Sequence, residues 1–236
     1  VETAKKVMGF IQDQSKKASM KLAEERGVFQ NWEDSIYGQK GIKLRNATTT
    51  TIAPTGTISI IAGTSSGIEP VFALAFERHV LDNQCLIEVH PLFEAELKKR
   101  GIYSEELMQK VVKCGSLKEI DDIPEDMKKV FVTAHDITPE WHIKLQAAFQ
   151  EYTDNAVSKT VNFPNSATRE DVREVYLMAY KLGCKGVTIY RDGSRQEQVL
   201  NKGSVKTKEV SKGKQPEGTA ELKPRPRATI TYGNTE

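Results

Sequence analysis

"TVNFPNSATREDVREVYLMAYKLGCKGVTIYRDGSR", residues 160–195, decides the fold class. The opening "TVNFPNSAT" reads as a short extended segment and a loop. Thr168 then caps a helix, with Asp171 at the capping-box position and Val172, Val175, Leu177, Ala179 and Leu182 among its apolar residues. Gly183 ends it. "KGVTIY" follows immediately, a β-branched run of strand length. A helix feeding a strand through so short a loop is the unit of α/β proteins, whose ligands lie at the loops after the strands. "RDGSR" holds that place after Tyr190. Arg191 or Arg195 there can pair with an anion, while an Asp-Gly turn held by a local salt bridge explains the same residues more simply.

Working outward, Thr138, Pro139 and Glu140 open another helix: a hydroxyl to cap, a proline that the first turn tolerates, and a carboxylate at the positive end. The pattern carries it to about Ser158 with Trp141, Leu145, Ala148, Phe149, Tyr152 and Ala156 on one face. Residues 91–113 read as two helices, the first ended by Gly101 and the second capped by Ser104 with Leu107 and Val111 inward. "IDDIPEDMKKVF" is a short helix with a proline start. From residue 71 to 85 the pattern fits a strand or a buried helix, then a turn at "LDNQ". Residues 2–26 form a helix with Ala4, Val7, Met8, Ile11, Ala18 and Leu22 on its buried face and Gly27 as its stop. "VFQNWEDSIYG" is an irregular connection. After Gln196 the composition turns to Lys, Gly, Glu, Thr and Pro, so residues 1–195 are expected to fold and 196–236 to form a flexible basic tail.

The 34 basic and 32 acidic residues leave a formal charge of +2, which gives no case for nucleic acid or an anionic membrane through bulk charge. No apolar run approaches the roughly 20 residues of a membrane span. The start, "VETAKKVMGF", has neither a signal core nor an initiator methionine, and the chain reads as an internal piece of something longer. Cys85, Cys114 and Cys184 are odd in number and far apart, against a disulfide framework or a CxxC pair, and read as small buried hydrophobes of a reducing, cytoplasmic protein. His79, His90, His135 and His142 lack metal spacing and are expected at the surface or at caps.

The stretch "TTTTIAPTGTISIIAGTSSGIEP", residues 48–70, has three glycines, one carboxylate and no basic residue. Residues 48–52 suit a strand buried on both faces, ended by Pro54. Thr55, Gly56, Thr57, Ile58 and Ser59 then offer hydroxyls and, if a helix starts near Thr57, unpaired N–H groups at a positive dipole end. That is a phosphate cradle without lysine. It matches neither the P-loop nor G-x-G-x-x-G, and a strand-to-helix turn built for local reasons explains it equally. Glu69 either orients a ligand or is solvated.

Three ordered segments, "RNATTTTIAPTGTISIIAGTSSGIEPVF", "AAFQEYTDNAVSKTVNFPNSAT" and "YKLGCKGVTIYRDGSR", resemble the adenosylcobalamin-dependent (class II) ribonucleotide reductases, over roughly residues 24–195. The resemblance implies the C-terminal portion of a ten-stranded α/β barrel. It also implies that Pro54, Thr55, Gly56, Thr57, Ile58 and Ser59 hold the phosphates of a ribonucleotide substrate, aimed by a barrel strand at residues 48–51. The family's cobalamin generates a cysteine thiyl radical that takes the ribose 3′-hydrogen, while a cysteine pair supplies electrons. The radical cysteine lies in an Asn-x-Cys-x-Glu loop that this sequence lacks, so the resemblance assigns no catalytic residue and no metal ligand here. It puts the radical loop, one half of the reducing pair and most of the cofactor surface upstream of Val1, and a re-reducing cysteine pair beyond the tail. Implied partners are a ribonucleotide and a dithiol reductant such as thioredoxin, in a homodimer or monomer, with no nucleic acid and no membrane. Oxygen-dependent large subunits carry a Tyr-Tyr pair where this sequence has Tyr190 and Arg191. The alternatives are a stand-alone nucleotide-binding module and a class I large subunit with a small radical-generating partner.

Overall fold

The computed structural model describes residues 1–79 and 85–194. The expected turn at "LDNQ", Arg195 and the expected tail at 196–236 lie outside the described residues. Strands β3 (Thr160–Phe163) and β4 (Thr188–Arg191) pair in parallel, with Thr160 opposite Thr188 and Phe163 opposite Arg191. Helix α8 (Arg169–Lys181) is the crossover that parallel pairing requires. Its capping box is complete: the Thr168 hydroxyl accepts the Asp171 N–H at 3.2 Å, and the Asp171 carboxylate accepts the Thr168 N–H at 2.7 Å. Val161 and Phe163 point into a core with Ile143, Val175 and Ala179, whereas Leu177 and Leu182 stay exposed.

A third parallel segment joins this pair through one bridge, Ile52 to Val157. The expectation of a strand buried on both faces at 48–52 is corrected: Thr50 alone is buried, while Thr48 and Thr51 are exposed. Hydroxyls explain the difference. The Asp154 carboxylate accepts the Thr49 N–H at 2.7 Å and its hydroxyl at 3.1 Å, and the Thr50 hydroxyl accepts the Asp154 N–H at 2.9 Å. A threonine run pairs with a polar loop where a valine run would need apolar cover on both sides.

Helix α7 (Pro139–Gln150) starts where expected, but the Thr138 hydroxyl makes no capping bond and the helix stops eight residues before Ser158. Side chains take over its last turn: the Thr153 hydroxyl donates to Phe149 O at 2.7 Å, and Gln150 Nε2 donates to Thr153 O and Asn155 O at 3.1 and 2.8 Å. Its inner face is also not the expected one. Ala148 is buried as anticipated, but Trp141 is exposed, and the buried stripe is His142, Gln146 and Gln150 beside Ile143. That stripe meets strand starts whose carbonyls need donors: Gln146 Nε2 donates to Val157 O at 3.1 Å and to Gly186 O at 2.6 Å.

Helix α1 (Glu2–Arg26) ends at Gly27, φ 75°, as read from the sequence. It buries Ala4, Met8, Ser19 and Ala23, whereas Val7, Ile11 and Leu22 are exposed, which corrects the expected face. Small residues on that face admit close approach: a Cβ on Gly9 would lie 3.3 Å from the ring of Tyr152, just after α7. The connection that follows contains α2 (Ile36–Gln39), capped by Ser35, and the short α3 (Gly56–Ala62) comes after the threonine run.

A separate apolar core lies over the antiparallel hairpin of β1 (Ala75–His79) and β2 (Cys85–Val89), so residues 75–79 take the strand option. Helices α4 (Pro91–Lys99), α5 (Glu105–Cys114) and α6 (Glu125–Val130) supply Phe93, Leu97, Met108 and Met127, each buried side chain stabilising by roughly 1.5–3 kcal/mol. Ser104 caps α5 through Leu107 N–H at 3.1 Å. Cys114 is exposed, contrary to the expectation of burial, while Cys184 is half-buried and burial raises its thiol pKa.

Candidate functional site

Beyond the Ile52 bridge the chain turns sharply at Pro54. Thr55 adopts φ 50°, ψ 27°, the left-handed region, where among the described residues every other member is a glycine. A β-branched side chain disfavours that conformation, so the surroundings must impose it. Two bonds do so: the Thr55 hydroxyl accepts the Gly67 N–H at 3.0 Å, and Thr55 O accepts the Ser59 N–H at 3.0 Å.

Helix α3 starts on the next residue. The N–H groups of Gly56, Thr57 and Ile58 have no intrahelical acceptor, and all three residues are exposed. A Cβ on Gly56 would meet nothing within 4 Å, so the backbone there is open to close approach. Ser59 differs: it is buried, and its Oγ lies 2.9 Å from Gly56 O and 2.8 Å from Ser66 Oγ. Of the three hydroxyls read as a cradle, Thr57 faces outward, and those of Thr55 and Ser59 brace the turn. The arrangement presents backbone donors at the positive end of a helix, without a neighbouring cation on the same stretch.

Glu69, read as ligand-orienting or solvated, is paired within the protein and partly exposed. Its Oε1 accepts the Thr160 N–H at 2.5 Å and its Oε2 accepts from Lys159 Nζ at 2.7 Å. Lys159, with only 1% of its side chain exposed, directs its other two N–H bonds to His142 Nδ1 at 2.7 Å and to Thr160 O at 2.5 Å. Because Nδ1 accepts, the His142 proton sits on Nε2, which donates to Ala134 O at 3.0 Å. Burial, then the Lys159 cation, lower the His142 pKa from 6.5 to about 4, so the ring is neutral at pH 7. Burial likewise lowers the Lys159 pKa, against the pull of the Glu69 carboxylate. His142 is thus a buried base, not the surface or capping residue expected. The sequence offered little to reveal the trio, because Glu69, His142 and Lys159 are scattered along it.

The turn after β4 is built differently. Arg191 Nε donates to Ala167 O at 3.0 Å and its guanidinium also to Asn165 O, while Asn165 Nδ2 donates to Asp192 O at 2.9 Å. Among the described residues carbonyls, not a salt bridge, hold Arg191. Among the described residues no group of three His, Cys, Asp or Glu could hold a metal ion, and no helix is long and apolar enough to cross a membrane.

Comparison with known proteins follows the same residues. The family described as "Ribonucleotide reductase, barrel domain" matches residues 1–190. A vitamin B12-dependent ribonucleoside-diphosphate reductase of Thermoplasma acidophilum is 59% identical over 208 residues, which is 88% of this chain and 27% of that protein. One of Mycobacterium tuberculosis is 45% identical over 206 residues, 87% of this chain and 30% of that protein. Among solved structures, the Actinobacillus ureae class Id ribonucleotide reductase alpha subunit superposes with a TM-score of 0.67 at 25% identity, covering 81% of this chain and 34% of that one. The chain therefore spans about a third or less of the length of each.

Proposed function

The chain belongs to the ribonucleotide reductase barrel-domain family, and from that premise we propose that it is the substrate-phosphate part of a cobalamin-dependent enzyme reducing ribonucleotides to deoxyribonucleotides. The observation that carries the reading is the left-handed Thr55, which starts α3 so that the N–H groups of Gly56, Thr57 and Ile58 open outward. Donors fixed in advance bind an oxyanion without reorganising, and glycine lets the phosphate reach them. Pro54, Thr55, Gly56, Thr57, Ile58 and Ser59 are assigned to this loop, Pro54 and Ser59 by shaping it. The relatives' names favour a ribonucleoside diphosphate as substrate.

In this reading residues 1–195 are the C-terminal portion of a ten-stranded barrel, of which the parallel segments at Ile52, β3 and β4 are three consecutive staves, and 196–236 form a tail. The complete enzyme is cytoplasmic, works as a homodimer or monomer, and draws electrons from a dithiol such as thioredoxin. Its cobalamin supplies the radical. The described residues of this chain do not fit that group: a cleft of about 550 Å³ beside Pro54 and Lys159 suits a small ligand and does not enclose a corrin, and His142 has both ring nitrogens engaged. No step through cobalamin is assigned to them.

The test is turnover by the complete reading frame given a ribonucleoside diphosphate, a dithiol and adenosylcobalamin. Deoxyribonucleotide formed only with the cobalamin is the expected result. Activity that appears instead on adding a metal-loaded radical-generating subunit moves the protein to class I, and nucleotide binding with no turnover under either condition leaves a binding module.

A further inference from the structure

We propose that the Lys159–Glu69–His142 cluster, with its lysine and histidine buried and its glutamate partly exposed, is a positioning device that holds the phosphate loop in its binding conformation. The inference rests on the phosphate-loop reading above and names what keeps that loop in place. A continuous set of bonds connects the two. His142 is anchored to Ala134 O at 3.0 Å and receives Lys159 at 2.7 Å. Lys159 holds Glu69 at 2.7 Å, and the Glu69 carboxylate takes the first N–H of β3 at 2.5 Å. The Glu69 N–H donates to Ser66 O at 2.8 Å, closing the turn that brings the Ser66 hydroxyl to Ser59 at 2.8 Å and the Gly67 N–H to the Thr55 hydroxyl at 3.0 Å.

Thr55 occupies a backbone region that it abandons unless its neighbours impose it. The imposing bonds come from Gly67 and from Ser59, whose hydroxyl meets that of Ser66, and residues 66 and 67 sit just ahead of Glu69, the residue clamped to β3. There is little slack: a Cβ on Gly67, φ 50°, would lie 3.2 Å from Ala53 O. Lys159 needs the pairing as much as Glu69 does. All three of its N–H bonds are used, and a buried ammonium that loses its carboxylate is strongly disfavoured. Loss of the pairing is expected to free Thr55 to relax and to scatter the N–H groups of Gly56, Thr57 and Ile58. In this proposal the three cluster residues act through the loop and not by contact with the substrate. They are positioning residues.

The experiment uses the complete enzyme, with KM for the ribonucleoside diphosphate, KM for the dithiol and kcat measured for Lys159→Met, Glu69→Gln, Thr55→Ala and the pair Thr55→Ala with Glu69→Gln. Lys159→Met and Glu69→Gln are expected to raise the nucleotide KM roughly tenfold, the scale of a displaced binding group, with the dithiol KM and kcat within about twofold. The paired variant is expected to be no worse than the worse single, because both act on one element. A folded Glu69→Gln enzyme with an unchanged nucleotide KM overturns the proposal, and so do effects that multiply in the pair. Glu69→Gln is nearly isosteric and keeps the test alive if Lys159→Met does not fold. If Thr55→Ala itself leaves the nucleotide KM unmoved, the phosphate-loop reading is what fails; if it raises KM while Glu69→Gln does not, that reading stands and the positioning role falls.

Discussion

Two turns among the described residues, one after β4 and one after the Ile52 bridge, are finished in opposite ways. After β4, Arg191, Asn165 and Asp192 bond to one another's backbone until the turn is closed, with a glycine, Gly193 at φ 71°, where the left-handed conformation is needed. At 54–59 the left-handed residue is a threonine, the first three N–H groups of α3 face outward, and rigidity is supplied from behind by residues 66–69. The first turn is satisfied by its own residues. The second is held under strain by others and left open, the condition expected of a site waiting for a ligand.

The largest effect should come from what backs the open turn. Lys159→Met leaves Glu69 facing Thr160 without its cation; stranding a fully buried charge costs roughly 3–5 kcal/mol, and the partial exposure of Glu69 puts the cost here below that. Denaturant midpoints of wild type, Lys159→Met and the doubly neutral Lys159→Met/Glu69→Gln measure it, the last expected to recover part of the loss. A midpoint shift no larger than that of an exposed pair such as Lys144–Glu140 would mean that the open turn is not backed by this charge at all.

Next in size is a pH effect. His142 folds as the neutral base with a pKa lowered to about 4 from 6.5. Its contribution is complete above pH 6.5, and falls as acid protonates the unfolded state first, by about 3 kcal/mol at about pH 4. Asp136 and Asp154, whose carboxyls burial pushes up but hydrogen bonds hold below 3.8, act only at lower pH. Denaturant midpoints from pH 7 to 4.5 should slope downward in wild type and flatten in His142→Gln. Equal slopes in the two proteins would place the acid sensitivity elsewhere.

A smaller change tests the closed turn. A Cβ on Gly193 would lie 2.5 Å from Asn165 Nδ2, at a φ that alanine resists, so Gly193→Ala should cost about 1–2 kcal/mol and break the bond to Asp192 O. Nucleotide KM should stay put. A rise there would join the two turns into one site and remove the contrast between them.

How much of this was legible beforehand divides along physical lines. Local chemistry was readable: the Thr168 capping box, the Ser104 cap, the stops at Gly27 and Gly101, and the helix-to-strand unit of α8 and β4 all rest on short-range bonds that residue types announce. Helix faces were not. The inner stripe of α7 is polar because it meets bare carbonyls at Val157 and Gly186, residues 11 and 40 positions away, and periodicity sees only apolar residues. The same limit hid the backing of the proposed phosphate loop, since Glu69 and Lys159 stand 90 positions apart. The loop itself was visible because threonine, glycine and proline adjoin in sequence; the reason it keeps its shape was not.

Gly56→Ala should change stability least and is the sharpest test of the open turn. Its backbone is not left-handed and a Cβ there meets nothing within 4 Å, so the fold loses no contact, and alanine at a helix start shifts stability by no more than about 0.5 kcal/mol. In the proposed reading the methyl group stands where a phosphate oxygen must come to reach the N–H groups of Gly56 and Thr57. Affinity for the ribonucleoside diphosphate should therefore fall about tenfold or more while the midpoint of unfolding holds, the mirror image of Gly193→Ala. Isothermal titration with the diphosphate and with its parent nucleoside separates the contributions: the diphosphate should weaken and the nucleoside should not. Equal weakening of both would put the sugar or base at Gly56 and the phosphates elsewhere, and no weakening of either would leave the strained Thr55 as a turn that binds nothing.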